Sequence, residues 1–144
     1  MINYVLGFIF DEEYKNVVLT RKGKETWQKD LHNGIGGKVE DDEEPIDAIV
    51  RECIEETNLY INSWRQYCVM YGPEFTCICY STTADLNELS YLNDKEIPGE
   101  GILSIVPVKD LYHLPRTSNL IWLIELAADK SDTRYSVNAT IDQA

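Results

Sequence analysis

The segment GGKVEDDEEPIDAIVRECIEET, from Gly36 to Thr57, is the most informative part of this 144-residue chain. It contains nine Asp or Glu residues and only two Lys or Arg. Pro45 suits the first turn of a helix and acidic residues suit its positive start, so a helix is predicted over residues 43–57. One side of this helix is apolar on a helical wheel, which predicts a core-facing stripe of Ile46, Ile49, Val50, Cys53 and Ile54.

Glu52, Glu55 and Glu56 share one face of this predicted helix, because successive residues turn by about 100°. Like charges at these spacings oppose each other by roughly 0.2 to 0.5 kcal/mol per pair, and the helix dipole disfavours anions in the last turn. A solvated acidic face is one interpretation, since such faces are common on surface helices. A divalent-metal site is the other, because Mg²⁺ takes carboxylate oxygens and leaves positions open for phosphate.

Composition limits the classes of protein to which the chain can belong. Its length predicts a single domain over residues 1–144, and 44% hydrophobic residues argue against disorder. No apolar run approaches the length of a membrane span, and the first residues do not resemble a secretory signal, so a soluble, cytoplasmic protein is expected. A net charge of -12 makes polymeric nucleic acid an unfavourable partner, whereas a small anion bound through a cation is compatible with it.

The remaining patterns predict an α/β fold with helices on both sides of a mixed sheet. A second helix is predicted over residues 118–129 with Ser118 as its N-cap, and residues 21–38 are predicted to form a long loop. The polar segment 130–144 is expected to be a flexible or interface-forming tail. Alternating or β-rich runs predict strands at residues 4–10, 17–20, 64–71, 75–84 and 101–108.

The acidic segment resembles the signature of the Nudix (MutT-like) hydrolases. In that signature five residues separate a Gly from a Glu, and seven residues separate this Glu from the run Arg-Glu-apolar-x-Glu-Glu-x-Gly-apolar. Two positions depart from that pattern: Cys53 replaces a larger aliphatic residue and Asn58 replaces the final Gly. Asn tolerates the left-handed conformation that ends helices, so both departures are compatible with the site. The resemblance implies an α/β/α sandwich with a mixed central sheet. The residues at the signature positions, these two included, are Gly37, Glu43, Arg51, Glu52, Cys53, Glu55, Glu56, Asn58 and Leu59.

The resemblance also implies roles for individual residues. Glu52, Glu55 and Glu56 are expected to bind Mg²⁺, with Mn²⁺ as a substitute, and the carbonyl of Gly37 is expected to join them. Arg51 and Glu43 are expected to brace the loop against the helix. The general base is left open between these glutamates and two acids of a later loop, Glu96 and Glu100. A P-loop is excluded, because His32 and Val39 stand where that motif needs Gly and Ser or Thr.

The implied reaction is hydrolysis of the pyrophosphate linkage in a nucleoside diphosphate derivative. A nucleoside triphosphate, including an oxidised purine nucleotide, would give a monophosphate and pyrophosphate; ADP-ribose cleavage and a nucleotide-sensing module are the alternatives. Substrate contacts are expected from Lys38, from Arg21 to phosphate, from Asn33 to a base edge, and from Trp27 and Phe75 by stacking. Each has a structural alternative, such as a turn at Asn33 or a core position for the aromatic rings. A monomer or a homodimer is expected.

Overall fold

The structure, a computed structural model, describes residues 1–22, 31–99, 101–129 and 133–138. These residues form two α-helices, two short 3₁₀ turns at Ser90–Leu92 and Val108–His113, and one sheet of nine strands. The helices are α1 (Pro45–Thr57) and α2 (Leu120–Ala128). The strands are β1 (Ile2–Phe10), β2 (Asn16–Lys22), β3 (His32–Asn33), β4 (Ile35–Lys38), β5 (Arg65–Tyr71), β6 (Phe75–Thr83), β7 (Glu96–Ile97), β8 (Gly101–Pro107) and β9 (Tyr135–Asn138).

The sheet is mixed, and its strands lie in the order β7-β8-β2-β1-β6-β5-β9. Strand β1 pairs with β2 only through Ile9 and Phe10, whereas its first half, Tyr4 to Gly7, pairs with β4. Strand β2 continues away from β1 and pairs with β3 and β8. The short strand β4 therefore lies beside the centre of the sheet, where helix α1 can pack against it.

Two apolar cores cover the two faces of the sheet. Alternation along β1 sends Leu6, Phe8 and Phe10 to the face covered by α2, and Val5 and Ile9 to the face covered by α1. The side chains of Ile49 and Cys53 anchor α1 and are fully buried. The predicted α/β/α sandwich is thereby confirmed. In the described residues, every helix is too short or too polar to span a bilayer.

The predicted loop 21–38 is wrong at both ends. Residues 21 and 22 extend β2, and residues 32, 33 and 35–38 belong to β3 and β4. Strand β4 has the sequence IGGK, whose glycines give no periodic signal; its extended form comes from pairing with β1. Residues 23–30 lie outside the described part of the chain.

Three smaller predictions also need correction. Helix α2 begins one residue later than predicted, with Asn119 rather than Ser118 at the N-cap. The apolar stripe of α1 is narrower than predicted, because Ile46 and Ile54 are 40% and 41% exposed. Part of the predicted tail is ordered, since Tyr135–Asn138 pair in parallel with β5 as the edge strand β9. The four cysteines, Cys53, Cys68, Cys77 and Cys79, are free and buried.

Candidate active site

Helix α1 and strand β4 bring the acidic face and the glycine pair together. Glu52 and Glu56 are only 8% and 1% exposed, whereas the side chain of Glu55 is about half exposed. The main-chain N–H of Gly36 donates to Oε2 of Glu56 at 3.1 Å. A solvated acidic face would leave all three carboxylates in water, because burying a charged group without partners is unfavourable. Two of the three glutamates are instead held against the sheet.

Both glycines of β4 are needed for space and not for a left-handed backbone. A Cβ on Gly37 would overlap Oε1 of Glu52 and lie 2.7 Å from its Cδ. A Cβ on Gly36 would overlap the carbonyl oxygen of Val5 and lie 2.9 Å from its carbonyl carbon. Gly37 therefore makes room for the Glu52 carboxylate, and Gly36 makes room for strand β1.

Arg51 connects the acidic helix to the loop before it. Its Nε and Nη2 donate to the two carboxylate oxygens of Glu43 at 2.8 and 3.0 Å, and Nη2 also donates to the carbonyl of Lys38 at 3.0 Å. Its Nη1 donates to Oε1 of Glu52 at 3.0 Å and lies 3.4 Å from both oxygens of Glu55. Planar guanidinium geometry suits this bidentate pairing. The contacts agree with the bracing role expected for Glu43 and Arg51.

The same contacts alter the ionisation of both partners. Hydrogen bonding to Arg51 lowers the pKa of Glu43, and hydrogen bonding to Glu43 raises the pKa of Arg51. The loop N–H of Glu40 adds a bond to Oε1 of Glu43 at 3.0 Å, which also favours the carboxylate form. The pair is therefore charged throughout the range of neutral pH.

The end of α1 departs from the family pattern without losing its geometry. Asn58 has φ 62° and its N–H donates to the carbonyl of Ile54 at 2.9 Å, so Asn takes the left-handed position of the usual Gly. The last turn of α1 contains no basic residue. Lys95, from the loop before β7, donates from Nζ to the carbonyl oxygen of Glu56 at 3.2 Å. No local pattern predicts this contact, because the two residues lie 39 positions apart in the chain.

The donor set of the helix face suits a hard divalent cation, because carboxylate oxygens are its preferred ligands. Gly37 leaves space beside Glu52 that a side chain would fill. Within the described residues, no three acidic, histidine or cysteine side chains converge closely enough to hold a metal ion, and Nη1 of Arg51 lies between Glu52 and Glu55. Metal binding by Glu52, Glu55, Glu56 and the Gly37 carbonyl stays a prediction.

The predicted substrate residues fall in different places. Oδ1 of Asn33 accepts the N–H of Gly34 at 2.8 Å, so this side chain does shape the local turn. Arg21 is exposed in β2 opposite His32, and Lys38 is exposed at the end of β4. Phe75 packs edge-on against Tyr4, with ring centroids 6.4 Å apart, at the border of the α2-side core. The structure thus does not bring Phe75 to the glutamate face of α1.

Of the two acids predicted as alternative bases, only Glu96 lies in the described part of the chain. Glu96 is exposed in β7, next to Ile97, which is buried in the α1-side core. Because neighbouring strand residues point to opposite faces, its carboxylate is directed away from that core. Glu100 and Trp27 lie outside the described residues.

Comparisons with known proteins agree with the fold and with the signature. The model of the NUDIX domain matches residues 3–119. No curated protein matches the sequence at a significant level. The crystal structure of the mutator protein MutT from Bacillus halodurans is similar over 100% of this chain and 94% of that chain, with a TM-score of 0.74 and 18% identity.

The Shewanella oneidensis protein NrtR is a second similar structure. Its NUDIX domain in complex with ADP ribose has a TM-score of 0.71 and 16% identity over 90% of this chain and 88% of that one. Its complex with a 27mer DNA has a TM-score of 0.67 and 18% identity, over 86% of this chain and 59% of that one. Because the family model covers most of the sequence and the signature residues meet at one site, the chain belongs to the Nudix family of hydrolases.

Proposed function

We propose that this protein hydrolyses the pyrophosphate linkage of a nucleoside diphosphate derivative with the help of Mg²⁺ bound by Glu52, Glu55 and Glu56. The observation that carries the proposal is the burial of Glu52 and Glu56 against the glycine strand β4. Acidic side chains are almost never buried without a partner, so their placement beside Gly36 and Gly37 favours a built site over a solvated face.

Some residues of the site fix the loop that precedes α1, and others orient the glutamate carboxylates. Arg51 and Glu43 fix the loop that carries Gly37, and the contact from Arg51 orients Glu52. The N–H of Gly36 orients Glu56. The bound cation would polarise phosphoryl oxygens and lower the pKa of the attacking water. A carboxylate, from a glutamate of α1 or from one of Glu96 and Glu100, would accept the proton of that water.

A nucleoside triphosphate is the proposed substrate, with oxidised purine nucleotides included. The Oδ1 atom of Asn33 is engaged by Gly34, so Asn33 would offer a base its amide hydrogens and would recognise acceptor atoms. The net charge of -12 still argues against binding of polymeric nucleic acid and favours a small anion held through a cation. Cytoplasmic location and a monomeric or homodimeric state remain predictions.

ADP-ribose is the second candidate substrate. The similarity to the NUDIX domain of NrtR, whose structure is described with ADP ribose, favours this alternative. A nucleotide-sensing role is the third, but it leaves unexplained why every acid of the signature is kept and braced.

The experiment is a substrate panel with purified protein and Mg²⁺. The panel contains standard and oxidised dNTPs, ADP-ribose, NADH and dinucleoside polyphosphates, with pyrophosphate and phosphate release measured separately. Release of pyrophosphate from a dNTP supports the leading proposal, and turnover of ADP-ribose alone supports the second candidate.

Two variants connect turnover to α1. Glu56→Gln keeps an acceptor for the N–H of Gly36 but removes the charge, and turnover should fall at least 100-fold, as for loss of a group that binds the reacting centre. Glu13→Gln is the matched control, because Glu13 is exposed in the turn between β1 and β2 and pairs with Lys15. Equal activity of wild type and Glu56→Gln on every compound would reject the enzyme proposal.

A further inference from the structure

The contact between Lys95 and α1 lies outside the signature. Nζ of Lys95 donates to the main-chain oxygen of Glu56 at 3.2 Å in a partly buried position. The last four carbonyls of a helix lack partners within the helix, and Glu56 provides one of them. Lys95 therefore supplies a donor to one of these terminal carbonyls.

Glu56 is held from two sides as a result. Its carboxylate accepts the N–H of Gly36, and its carbonyl accepts the ammonium group of Lys95. The first contact ties the side chain to β4, and the second ties the backbone to the loop before β7. Together they fix both the position of the last turn and the direction of the carboxylate.

The backbone of Lys95 is itself well anchored. Its N–H donates to the carbonyl of Leu92 at 3.3 Å, and its carbonyl accepts the N–H of Leu103 at 2.8 Å. Leu92 and Leu103 are fully buried in the α1-side core. The ammonium group is therefore presented from a fixed point, whereas an exposed lysine samples many conformations.

The positive charge of Lys95 also interacts favourably with the negative end of the α1 dipole. Glu55 and Glu56 occupy the last turn of α1, where the dipole disfavours anions, and that turn holds no basic residue of its own. A cation at a helix C-terminus is favourable, and here a distant segment supplies it.

We propose that Lys95 is a positioning residue of the site: it fixes the last turn of α1 so that Glu55 and Glu56 are correctly aimed. Lys95 acts through the main chain of Glu56 and has no assigned contact with substrate. The catalytic consequence rests on the proposed function, whereas the structural consequence does not.

The test compares Lys95→Met, which removes donor and charge, with Lys95→Arg, which keeps both. Lys15→Met is the control, because Lys15 is an exposed lysine in the turn between β1 and β2. On the best substrate of the panel, Lys95→Met should lower kcat about 10-fold, since small misplacements of reacting groups are costly, and leave KM within about 2-fold. Lys95→Arg should recover kcat to within about 3-fold of wild type, and Lys15→Met should match wild type.

Amide hydrogen exchange supplies a readout that does not need turnover. In Lys95→Met, exchange in the last turn of α1 and in residues 93–97 should quicken about 5-fold relative to wild type and to Lys15→Met, as for the loss of one typical hydrogen bond. Unchanged exchange in both segments would overturn the inference even if no substrate is found. In an active enzyme, a Lys95→Met kcat per folded molecule within 2-fold of wild type would overturn it and leave the proposed function standing.

Discussion

Replacing Gly37 by Ala tests the site with little disturbance of the fold. The new Cβ would lie 2.7 Å from Cδ of Glu52, against an ordinary carbon–carbon contact of about 3.5 to 4 Å, so the carboxylate must move by about 1 Å. That carboxylate is the end of a side chain and can move without the backbone. Gly37 also lies outside the left-handed region, so Ala is conformationally acceptable. The free energy of unfolding should therefore change by less than about 1 kcal/mol.

Activity should respond far more strongly than stability. A displacement of about 1 Å in a group that holds the reacting centre can reduce the rate about 100-fold, so kcat/KM should fall by that order. Thermal unfolding followed by circular dichroism and turnover of the best panel substrate measure the two effects on the same sample. Activity within 2-fold of wild type at an unchanged Tm would refute the assignment of Glu52 to the site.

Gly36→Ala is the matched comparison, since its Cβ meets backbone and not a side-chain end. The clash with the carbonyl of Val5 forces β4 and β1 apart, which should destabilise by about 1 to 3 kcal/mol and lower Tm by roughly 3 to 10 °C. A Gly36→Ala protein as stable as Gly37→Ala would contradict the packing described for the two strands.

Three further outcomes are expected. Because hydrogen bonding to Arg51 lowers the folded-state pKa of Glu43, the pair stabilises the protein above the unfolded pKa of about 4.5 and loses this effect as the pH falls through the folded value. The free energy of unfolding of Glu43→Gln, measured with urea, should therefore be about 1 kcal/mol lower than that of wild type at pH 7, and the two values should converge below pH of about 4. A constant difference between the two proteins at all pH values would contradict this. Mg²⁺ at ten times its Kd should stabilise wild type by about 1.4 kcal/mol, and this shift in Tm should vanish with a chelator or in Glu52→Gln; an equal shift in that variant would argue against ligation there. Leu123 lies in the fully buried face of α2, so Leu123→Ala should lower the free energy of unfolding, measured with urea, by about 2 to 5 kcal/mol while kcat per folded molecule is unchanged. A decrease below about 1 kcal/mol would mean that α2 packs loosely.

The strands and helices with a clear period were predictable because burial imposes that period. Helix α1 ends at Thr57 as predicted and begins at Pro45, two residues after the predicted start, and the strands β5, β6 and β8 agree with their runs to within two residues. Strand β4 was missed, because its glycines carry no side chains to alternate and only the pairing with β1 extends it. Strand β9 was missed for a similar reason, since an edge strand that is half exposed needs no apolar run.

Within the candidate site, the sequence indicated which residues take part but not which of their carboxylates are buried. The resemblance to the Nudix signature implied that Glu43 and Arg51 form a pair, and the structure gives this pair a bidentate geometry. The helical wheel treated Glu52, Glu55 and Glu56 as equivalent, whereas packing against β4 buries the first and the last and leaves Glu55 half exposed.

The sequence by itself determined the acidic face of α1, and its resemblance to the Nudix signature predicted the family and the bracing residues, because those features depend on residue types at fixed positions along one helix and its loop. Tertiary structure alone decided which carboxylates are buried, why Gly36 and Gly37 must lack side chains, and that Lys95 reaches the end of α1. These contacts join residues 15 to 39 positions apart, and local sequence patterns do not reveal which distant segments meet in space.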